Sequence, residues 1–282
     1  MSERPEIGIF GGDQRQVYTA NAFLQMGYYV YSYKIAASIQ HANCTELHSL
    51  EELFQICRLL VGPVPLTNHS ELTVSNLAVL LTKEHFLIGG VIPSDLTELC
   101  NHEGIHYYDL MKNEKIAILN SVATAEGTIM EAIQNSEINL HGSNCLVLGY
   151  GRCAKVLAQK LTGIHAGVTV AARSEEALAY AEASGLQTIH LSDIEVLLPT
   201  YDFIFNTIPA LILDKRHLQL VKQDVTIIDI ASAPGGIDYE YALQKNLKAK
   251  LCLGLPGKVA PKTSADILVN EIITLLMKEG IR

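Results

Sequence analysis

The sequence has no run or stripe of basic residues. Its 282 residues include 21 Lys and Arg against 30 Asp and Glu, which gives a net charge of −9. Because nucleic-acid binding depends on clustered positive charge, we expect no nucleic-acid partner. An acidic protein still binds small anions where main-chain N–H groups and single arginines face them. Small anionic substrates and cofactors therefore stay open.

Long apolar runs are also lacking. The first residues, MSERPEIGIF, contain no apolar signal core, and no run approaches the ~20 apolar residues that a membrane span needs. The six cysteines include no CxxC pair, which is how a reduced cytoplasmic protein uses cysteine, as a small apolar side chain. We therefore predict a cytoplasmic protein with no membrane contact.

No group of residues has the spacing of a metal site. His102 and His106 are four residues apart, but Gly104 between them disfavours a helix that would present both side chains to one ion. Zinc sites normally take about four ligands. We expect no bound metal.

Short apolar runs alternate with amphipathic stretches of helical length, a pattern typical of parallel α/β sheets. In the first half the pattern predicts a helix at 14–26 and strands at 6–10, 28–32, 42–46, 56–61, 86–89 and 104–108. In the second half it predicts strands at 144–148, 167–172, 187–190, 202–206, 225–230 and 249–253, with helices near 151–163, 174–184, 214–221 and 238–245. An entry helix at 124–134 follows a domain boundary at residue 120, and a last helix occupies 263–278.

A strand, a glycine-rich turn and an amphipathic helix follow one another from residue 144. In the turn, Gly149-x-Gly151-x-x-Ala154, the first glycine allows a tight bend and the second lets main chain approach a pyrophosphate. Ala154 lets the helix pack close to the strand, and the helix N-terminus favours negative charge. We predict a Rossmann dinucleotide-binding domain whose phosphate loop is Gly149, Tyr150, Gly151, Arg152 and Cys153. A solvent-facing Arg152 is the alternative for that side chain.

The next strand ends without the acid that would bind the ribose hydroxyls of NAD. Ala172, Arg173 and Ser174 stand there instead. An arginine and a hydroxyl suit a 2′-phosphate, so we predict NADP(H) as the cofactor. The alternative is that Ser174 caps the following helix and Arg173 is solvated, and both can hold together.

Polar or rigid segments follow the later strands of this domain, where the nicotinamide end of a dinucleotide would lie. We assign cofactor contacts there to Asn206, Thr207, Ile208, Pro209, Ala231, Ser232, Pro256, Lys258, Val259 and Ala260. For the PGG sequence at 234–236, a simple chain reversal is the alternative. The sequence GLPGKVAP is expected to form a rigid loop.

Seven motifs together resemble one family. They are GGDQRQ, NS-x-x-TAEGTI, GxGRxA, ARS, NTIP, D-x-AS-x-PGG-x-D and GLPG-x-VAPKTS-x-x-IL. The chain resembles the A subunit of dipicolinate synthase from spore-forming bacteria over nearly its whole length, most specifically in the second half. Ala123 stands where that family's pattern has proline, which concerns local turn shape.

The resemblance implies an NADP-linked oxidation of dihydrodipicolinate to aromatic dipicolinate, in a branch of the lysine/diaminopimelate pathway. It implies a flavoprotein-like B subunit of dipicolinate synthase as partner and the cytoplasm of the sporulating mother cell as location; a homo-oligomer is also expected. The implied fold resembles the formate/glycerate dehydrogenase arrangement. It comprises two doubly wound parallel-sheet domains: a flavodoxin-like substrate domain at 1–119 and the Rossmann domain at 120–260. The segment 261–282 forms a C-terminal helix that packs back on the first domain.

A dicarboxylate substrate gives the first glycine loop a role. The amides of Gly11 to Gln14 and the guanidinium of Arg15 are a candidate carboxylate site, and Asp13 either orients Arg15 or takes the ring proton. Substrate contacts are assigned to Gly12, Asp13, Arg15, Gln16, Ser121, Thr124 and Glu126, and catalytic roles to Asp13, Arg15 and Lys258. The alternatives are that Asp13 caps the helix while Arg15 points to solvent, and that Ser121 or Thr124 is a helix N-cap.

The cofactor domain has no histidine after His217. A 2-hydroxy-acid dehydrogenase needs a general base near this point, usually histidine, whereas an aromatisation needs little acid–base help. The absence disfavours alcohol-to-ketone chemistry. A non-catalytic NADPH-binding protein that regulates or scaffolds a partner enzyme is the alternative function.

Overall fold

The computed structural model describes residues 5–67 and 69–280. The chain divides into two compact units, unit 1 (Met1–Leu119 with Ala260–Arg282) and unit 2 (Asn120–Val259). Each unit is built on its own six-stranded parallel sheet. The predicted class of two doubly wound α/β sheets is confirmed.

The sheet of unit 1 has the strand order β3-β2-β1-β4-β5-β6. Its strands are β1 (Glu6–Phe10), β2 (Tyr29–Tyr33), β3 (Cys44–Glu46), β4 (Leu59–Val61), β5 (Phe86–Gly89) and β6 (His106–Asp109). Its helices are α1 (Gln14–Gln25), α2 (Leu50–Ile56), α3 (Val74–Leu80), α4 (Ser94–Glu103) and, from the end of the chain, α11 (Pro261–Lys278). This is the order of a Rossmann sheet, so the flavodoxin-like prediction for the first domain is wrong.

Alternating side chains of the unit 1 strands build a core on each face of the sheet. Ile7 and Ile9 face a cluster formed with α1 and α11, whereas Phe10 faces a second cluster formed with α2, α3 and α4. This alternation is what a strand with period two produces when helices cover both faces. Doubly wound packing therefore follows directly from the apolar strands.

Helix α11 contributes its apolar stripe to the core of unit 1. The stripe comprises Ala265, Leu268, Val269, Ile272, Leu275 and Leu276, all buried. It packs with the stripe of α1, which includes Ala20, Phe23 and Leu24. The predicted return of the C-terminal helix to the first domain is confirmed.

Unit 2 repeats the same strand order in its own numbering, β12-β11-β10-β7-β8-β9. Its strands are β7 (Asn144–Leu148), β8 (Gly167–Ala172), β9 (Gln187–His190), β10 (Phe203–Asn206), β11 (Thr226–Asp229) and β12 (Lys248–Leu251). Its helices are α5 (Glu114–Asn135, which begins in unit 1), α6 (Arg152–Gly163), α7 (Glu175–Ala183), α8 (Lys215–Leu218), α9 (Tyr239–Gln244) and α10 (Leu255–Val259). Cys145 and Val147 of β7 face one core, and Leu146 and Leu148 face the other.

Several predicted bounds need correction. The entry helix begins at Glu114 rather than residue 124. The strand predicted at 56–61 starts at Leu59, because Ile56 is the last residue of α2. Part of the expected rigid loop GLPGKVAP is helical, as α10. By contrast, the strands predicted at 6–10, 86–89, 144–148, 167–172 and 187–190 agree residue for residue.

Helix α5 corrects the expectation that no segment reaches the size of a membrane span. Among the described residues it is the one helix long and apolar enough, with a mean hydropathy of 1.2 and 44% of its 18-residue window buried. Core helices of globular proteins also reach this length and hydropathy, so the feature is weak evidence for a span.

The packing of α11 generates a first prediction. Ile272→Ala should lower the free energy of unfolding by about 2–4 kcal/mol, because it leaves a cavity at a fully buried position between α11 and α1. Met277→Ala, on the exposed side of the same helix, is the matched control and should change it by less than about 0.5 kcal/mol. Urea denaturation followed by circular dichroism measures both; equal effects would contradict this packing.

Candidate functional site

The glycine-rich turn of unit 2 leads from β7 into α6. Gly149 has φ +94°, and a Cβ there would lie 2.5 Å from the hydroxyl of Thr207, so both backbone shape and space require glycine. Gly151 is the N-cap of α6, no side chain caps that helix, and a Cβ at Gly151 would meet open space. An uncapped helix N-terminus with a bare approach is what a pyrophosphate needs, so these residues fit a bound dinucleotide.

The other predicted residues of this loop have distinct positions. Tyr150 turns toward α7, where its hydroxyl lies 3.4 Å from Ser184 Oγ and the ammonium of Lys155 lies 5.6 Å from its ring centre. Arg152 is exposed in the first turn of α6. Cys153 is half-buried; burial raises the pKa of its thiol, and a hydrogen bond with Thr124 offsets part of this effect.

At the end of β8, Arg173 and Ser174 are both exposed and Ala172 is buried. Ser174 Oγ accepts a hydrogen bond from Ala177 N at 3.3 Å, so the capping alternative is confirmed. Arg173 makes no side-chain contact with other described residues, and its main-chain oxygen lies 3.3 Å from Nε2 of His190 at the end of β9. Its guanidinium therefore has no competing carboxylate.

Asn206 does not offer its amide to a ligand. Its Nδ2 donates to Asp229 Oδ1 at 2.9 Å and to Ile208 O at 3.0 Å, and its Oδ1 accepts from Ile208 N. The side chain is fully buried. Thr207 likewise donates its hydroxyl to Leu148 O at 2.8 Å. These polar residues hold the strand ends in shape, and the main chain beyond them is what remains for a cofactor.

Asp229, the last residue of β11, organises the following loop and was missed as a site residue. Its carboxylate is fully buried and accepts four hydrogen bonds. The donors are Asn206 Nδ2, Ala231 N, Gly236 N and Tyr239 OH. Burial raises the pKa of Tyr239, and the hydrogen bond to Asp229 raises it further. An acid at the end of an apolar strand was the available signal, because a buried carboxylate must find several donors.

The PGG sequence is explained by this carboxylate. A Cβ at Gly235 would lie 2.7 Å from Asp229 Oδ2, and one at Gly236 would lie 2.5 Å from Ala210 O. Gly235 also has φ +88°. The glycines therefore do more than reverse the chain, because they let the backbone wrap the buried acid. Ala231 is buried at the start of this loop, and Ser232 is exposed.

The last predicted cofactor segment lies on and after α10. Lys258 is exposed, whereas Pro256, Val259 and Ala260 are half-buried. Leu255 packs against Gly127 of α5, where a Cβ would approach to 3.1 Å. The close contact explains a glycine inside α5. A catalytic role for Lys258 stays a prediction.

In unit 1 the first glycine loop lies between β1 and β4, where the strand order reverses direction. Gly11 and Gly12 have φ +64° and +85°, and a Cβ at Gly12 would lie 2.9 Å from Pro63. Gly11 N donates to Tyr33 O at 2.8 Å, so this amide is not available to a ligand, contrary to the prediction. The N–H groups of Gly12, Asp13 and Gln14 have no acceptor among the described residues. Ligands of open α/β sheets bind at such a switch point.

Arg15 is held in this crevice rather than pointing to solvent. Its Nε and Nη2 donate to Asp13 at 2.9 and 2.8 Å, and Nη2 also donates to Val64 O at 2.6 Å. The side chain is 12% exposed. Nη1 has no acceptor within the described chain. Arg15 therefore presents a fixed guanidinium edge whose remaining N–H groups suit a carboxylate.

Asp13 orients Arg15 and caps α1 through Arg15 N at 3.0 Å. Burial raises the pKa of its carboxyl, but the hydrogen bonds and charge of Arg15 outweigh burial, so the pKa lies below the ordinary 3.8. A weakened base is poorly suited to accept a ring proton. Of the two roles predicted for Asp13, the structure supports the orienting one.

Gln16 is buried, and its Nε2 donates to Phe10 O and Val61 O at 3.3 and 3.2 Å. It ties the ends of β1 and β4 together, so its amide is not a donor for substrate.

Three further predicted substrate residues lie inside α5 rather than at its start. Ser121 is buried, and Thr124 donates its hydroxyl to Asn120 O at 3.1 Å, so the N-cap alternative for both is wrong. Glu126 pairs with Lys160 Nζ at 2.9 Å, about 12 Å along α6 from its start. The ion pair places Glu126 away from the glycine-rich turn.

Within residues 5–67 and 69–280, no three His, Cys, Asp or Glu side chains are grouped so as to hold a metal ion.

Comparison with known proteins gives the family. The model described as the N-terminal domain of the dipicolinate synthase A subunit matches residues 6–111, and that described as D-isomer specific 2-hydroxyacid dehydrogenase, NAD binding domain, matches residues 111–255. The A subunit of dipicolinate synthase from Bacillus subtilis (strain 168) is 32% identical over 283 residues, covering 96% of this chain and 95% of that protein. This chain belongs to the family of dipicolinate synthase A subunits.

Solved structures from the same family share the fold. The dipicolinate synthase A subunit from Bacillus halodurans superposes with a TM-score of 0.86 at 31% identity, covering 96% of this chain and 97% of that one. The corresponding protein from Bacillus subtilis superposes with a TM-score of 0.83 at 30% identity, covering 99% and 97%. The glycine-rich turn and the Asp229 loop lie within the NAD-binding match, which supports a nicotinamide dinucleotide as cofactor.

The buried carboxylate of this family member generates a second prediction. Asp229→Ala should lower the free energy of unfolding by about 3–5 kcal/mol, because the main-chain and side-chain donors around it lose their acceptor while buried. Asp224→Ala, an exposed acid in the preceding turn, is the control and should change stability by less than about 0.5 kcal/mol. Similar urea midpoints for the two variants would contradict the role of Asp229.

Proposed function

We propose that this chain oxidises dihydrodipicolinate to pyridine-2,6-dicarboxylate with NADP⁺ as hydride acceptor. The observation that carries the proposal is the full-length relationship to the A subunit of dipicolinate synthase. Two features support it: the uncapped α6 turn, which fits a dinucleotide, and the oriented Arg15, which fits a substrate carboxylate. The cofactor supplies hydride acceptance when bound. Loss of a hydride and a proton from the ring gives the aromatic product.

Substrate binding is the main task of unit 1 in this proposal. Arg15 Nη1 and the amides of Gly12 and Gln14 bind one carboxylate, since these donors have no acceptor among the described residues. Asp13 fixes the guanidinium and remains ionised, so it holds Arg15 in place without taking the proton. A pre-oriented arginine lowers the entropic cost of placing the ring for reaction.

NADP is preferred over NAD in this proposal because Arg173 lies at the end of β8 without a carboxylate partner, beside the exposed Ser174. A guanidinium and a hydroxyl there bind a 2′-phosphate, whereas an acid at this point would bind the ribose hydroxyls of NAD.

The relatives are named as one lettered component of a synthase, which supports a second component as partner. We propose the flavoprotein-like B subunit of dipicolinate synthase in that role, and the cytoplasm of a sporulating mother cell as the location. A homo-oligomer of this chain stays a prediction that light scattering coupled to size exclusion measures.

The central test is turnover of dihydrodipicolinate by the purified chain with NADP⁺, with and without the B subunit, followed by the ultraviolet absorbance of the pyridine product. Arg15→Ala should lower kcat/KM by about 100-fold or more, because it removes a charge-assisted contact to the substrate. NADPH affinity should stay unchanged, since Arg15 lies outside unit 2.

Arg58→Ala is the matched control, an exposed arginine of unit 1 with one ion pair to Glu84 at 3.4 Å, and should keep full activity. Wild-type turnover with no effect of Arg15→Ala would refute the carboxylate site. NADPH binding without product under either condition would refute the reaction and favour the regulatory or scaffolding role.

Cofactor choice generates a separate prediction. Wild-type protein should bind NADPH more tightly than NADH, and Arg173→Ala should weaken NADPH about 10–100-fold while leaving NADH unchanged. The fluorescence of the reduced nucleotide measures both without tryptophan background, because the chain contains no tryptophan.

Arg216→Ala in the same unit removes an exposed arginine paired with Glu195 at 2.8 Å and should leave both affinities unchanged. Equal wild-type affinities for the two nucleotides would refute the role of Arg173.

A further inference from the structure

Val91 has a backbone conformation that its side chain disfavours. It follows β5 with φ +52°, in the left-handed region, where β-branched residues are rare outliers. Its side chain is also 53% exposed, although the next residue, Ile92, is buried. Glycine would remove the backbone strain and the exposed apolar surface together, so stability alone does not account for valine here.

The strained conformation is enforced by a buried carboxylate. Asp109, at the end of β6, accepts hydrogen bonds from Val91 N at 3.0 Å and Ile92 N at 3.1 Å, and also from Met111 N. Asp109 is 8% exposed, so these donors fix its position and theirs. Val91 is therefore held rigidly with its isopropyl group directed outward.

Val91 lies beside the crevice that contains Arg15. Gly90 N donates to Pro63 O at 3.2 Å, and Leu66 N donates to Gly90 O at 2.8 Å, so the loops after β4 and β5 are tied together. A Cβ at Gly90 would lie 2.5 Å from Val64, whose main-chain oxygen accepts from Arg15. Because β5 is two strands from β1, the two strand ends are about 10 Å apart.

We infer that Val91 is a specificity-determining residue that contacts the apolar ring of an aromatic dicarboxylate whose carboxylate is bound by Arg15. Strained residues persist where the surrounding structure over-determines them, and they concentrate at ligand sites. A rigid apolar group at ring distance from a fixed guanidinium discriminates a planar ring from an open-chain acid. This inference rests on the proposed substrate site of unit 1.

The test is calorimetric binding of two probes, pyridine-2,6-dicarboxylate and glutarate, which have the same number of atoms between their carboxylates. Val91→Gly should weaken the pyridine probe about 5–10-fold, because the ring loses an apolar contact. Glutarate affinity should stay unchanged. The same variant should raise the Tm by about 2–4 °C, because the strain is relieved.

Two further variants separate the causes. Val91→Ala shortens the side chain without making the backbone glycine-like, so it should weaken the pyridine probe without raising the Tm. His165→Gly, at φ +62° in the turn before β8, is the matched strain control and should leave binding of both probes unchanged.

Val91→Gly that raises the Tm and leaves pyridine binding unchanged would overturn the inference while leaving the Arg15 site intact. Equal weakening of both probes would overturn it as well, since no ring contact would then be involved. Failure of the Arg15 site itself is recognised separately, because Arg15→Ala would then bind both probes as wild type does.

Discussion

The carboxyl edges of both sheets depend on an aspartate that is buried at the end of a strand and needs hydrogen-bond donors. Asp109 ends β6 in unit 1, and Asp229 ends β11 in unit 2. Each takes main-chain N–H groups from a neighbouring or following loop. An ionised carboxylate in such a place is costly unless it is fully bonded. The loops around each acid are consequently rigid, and the glycines at 235 and 236 and the strained Val91 follow from this constraint.

Both units have the same strand order, yet the helix after the first strand begins differently in each. In unit 1 the Asp13 side chain occupies the N-cap of α1 and binds Arg15 as well. In unit 2 the N-cap of α6 is Gly151, without any side-chain bond. A capped end has given one of its donors to the protein, and an uncapped end keeps them for phosphate. The same position in the fold thus suits a carboxylate in one unit and a pyrophosphate in the other.

Local patterns predicted what local interactions determine. The strands of unit 2 and the Gly149–Ala154 spacing could be identified because apolar runs and turn glycines act over a few residues. The start of α5 could not, because Asn120 and Ser121 look like a helix boundary, whereas the structure buries both inside a continuous helix. The short helices α2 and α3 gave too little periodicity. Arg15 could be identified as a candidate, but its partner Val64 lies 49 residues away in the chain. Asn206 and Asp229 are likewise 23 residues apart, and only the sheet brings them together.

The stripe of α11 that completes the core of unit 1 also bears on how the chain matures during translation. Residues 261–278 are synthesised after all of unit 2, so the sheet of β1 to β6 leaves the ribosome with one face uncovered. Domains of larger proteins usually fold in order from the N-terminus. Here the middle of the chain has a complete core first, and the substrate-binding half acquires its final layer last. The crevice at Arg15 therefore becomes fully supported after the dinucleotide-binding half is already formed.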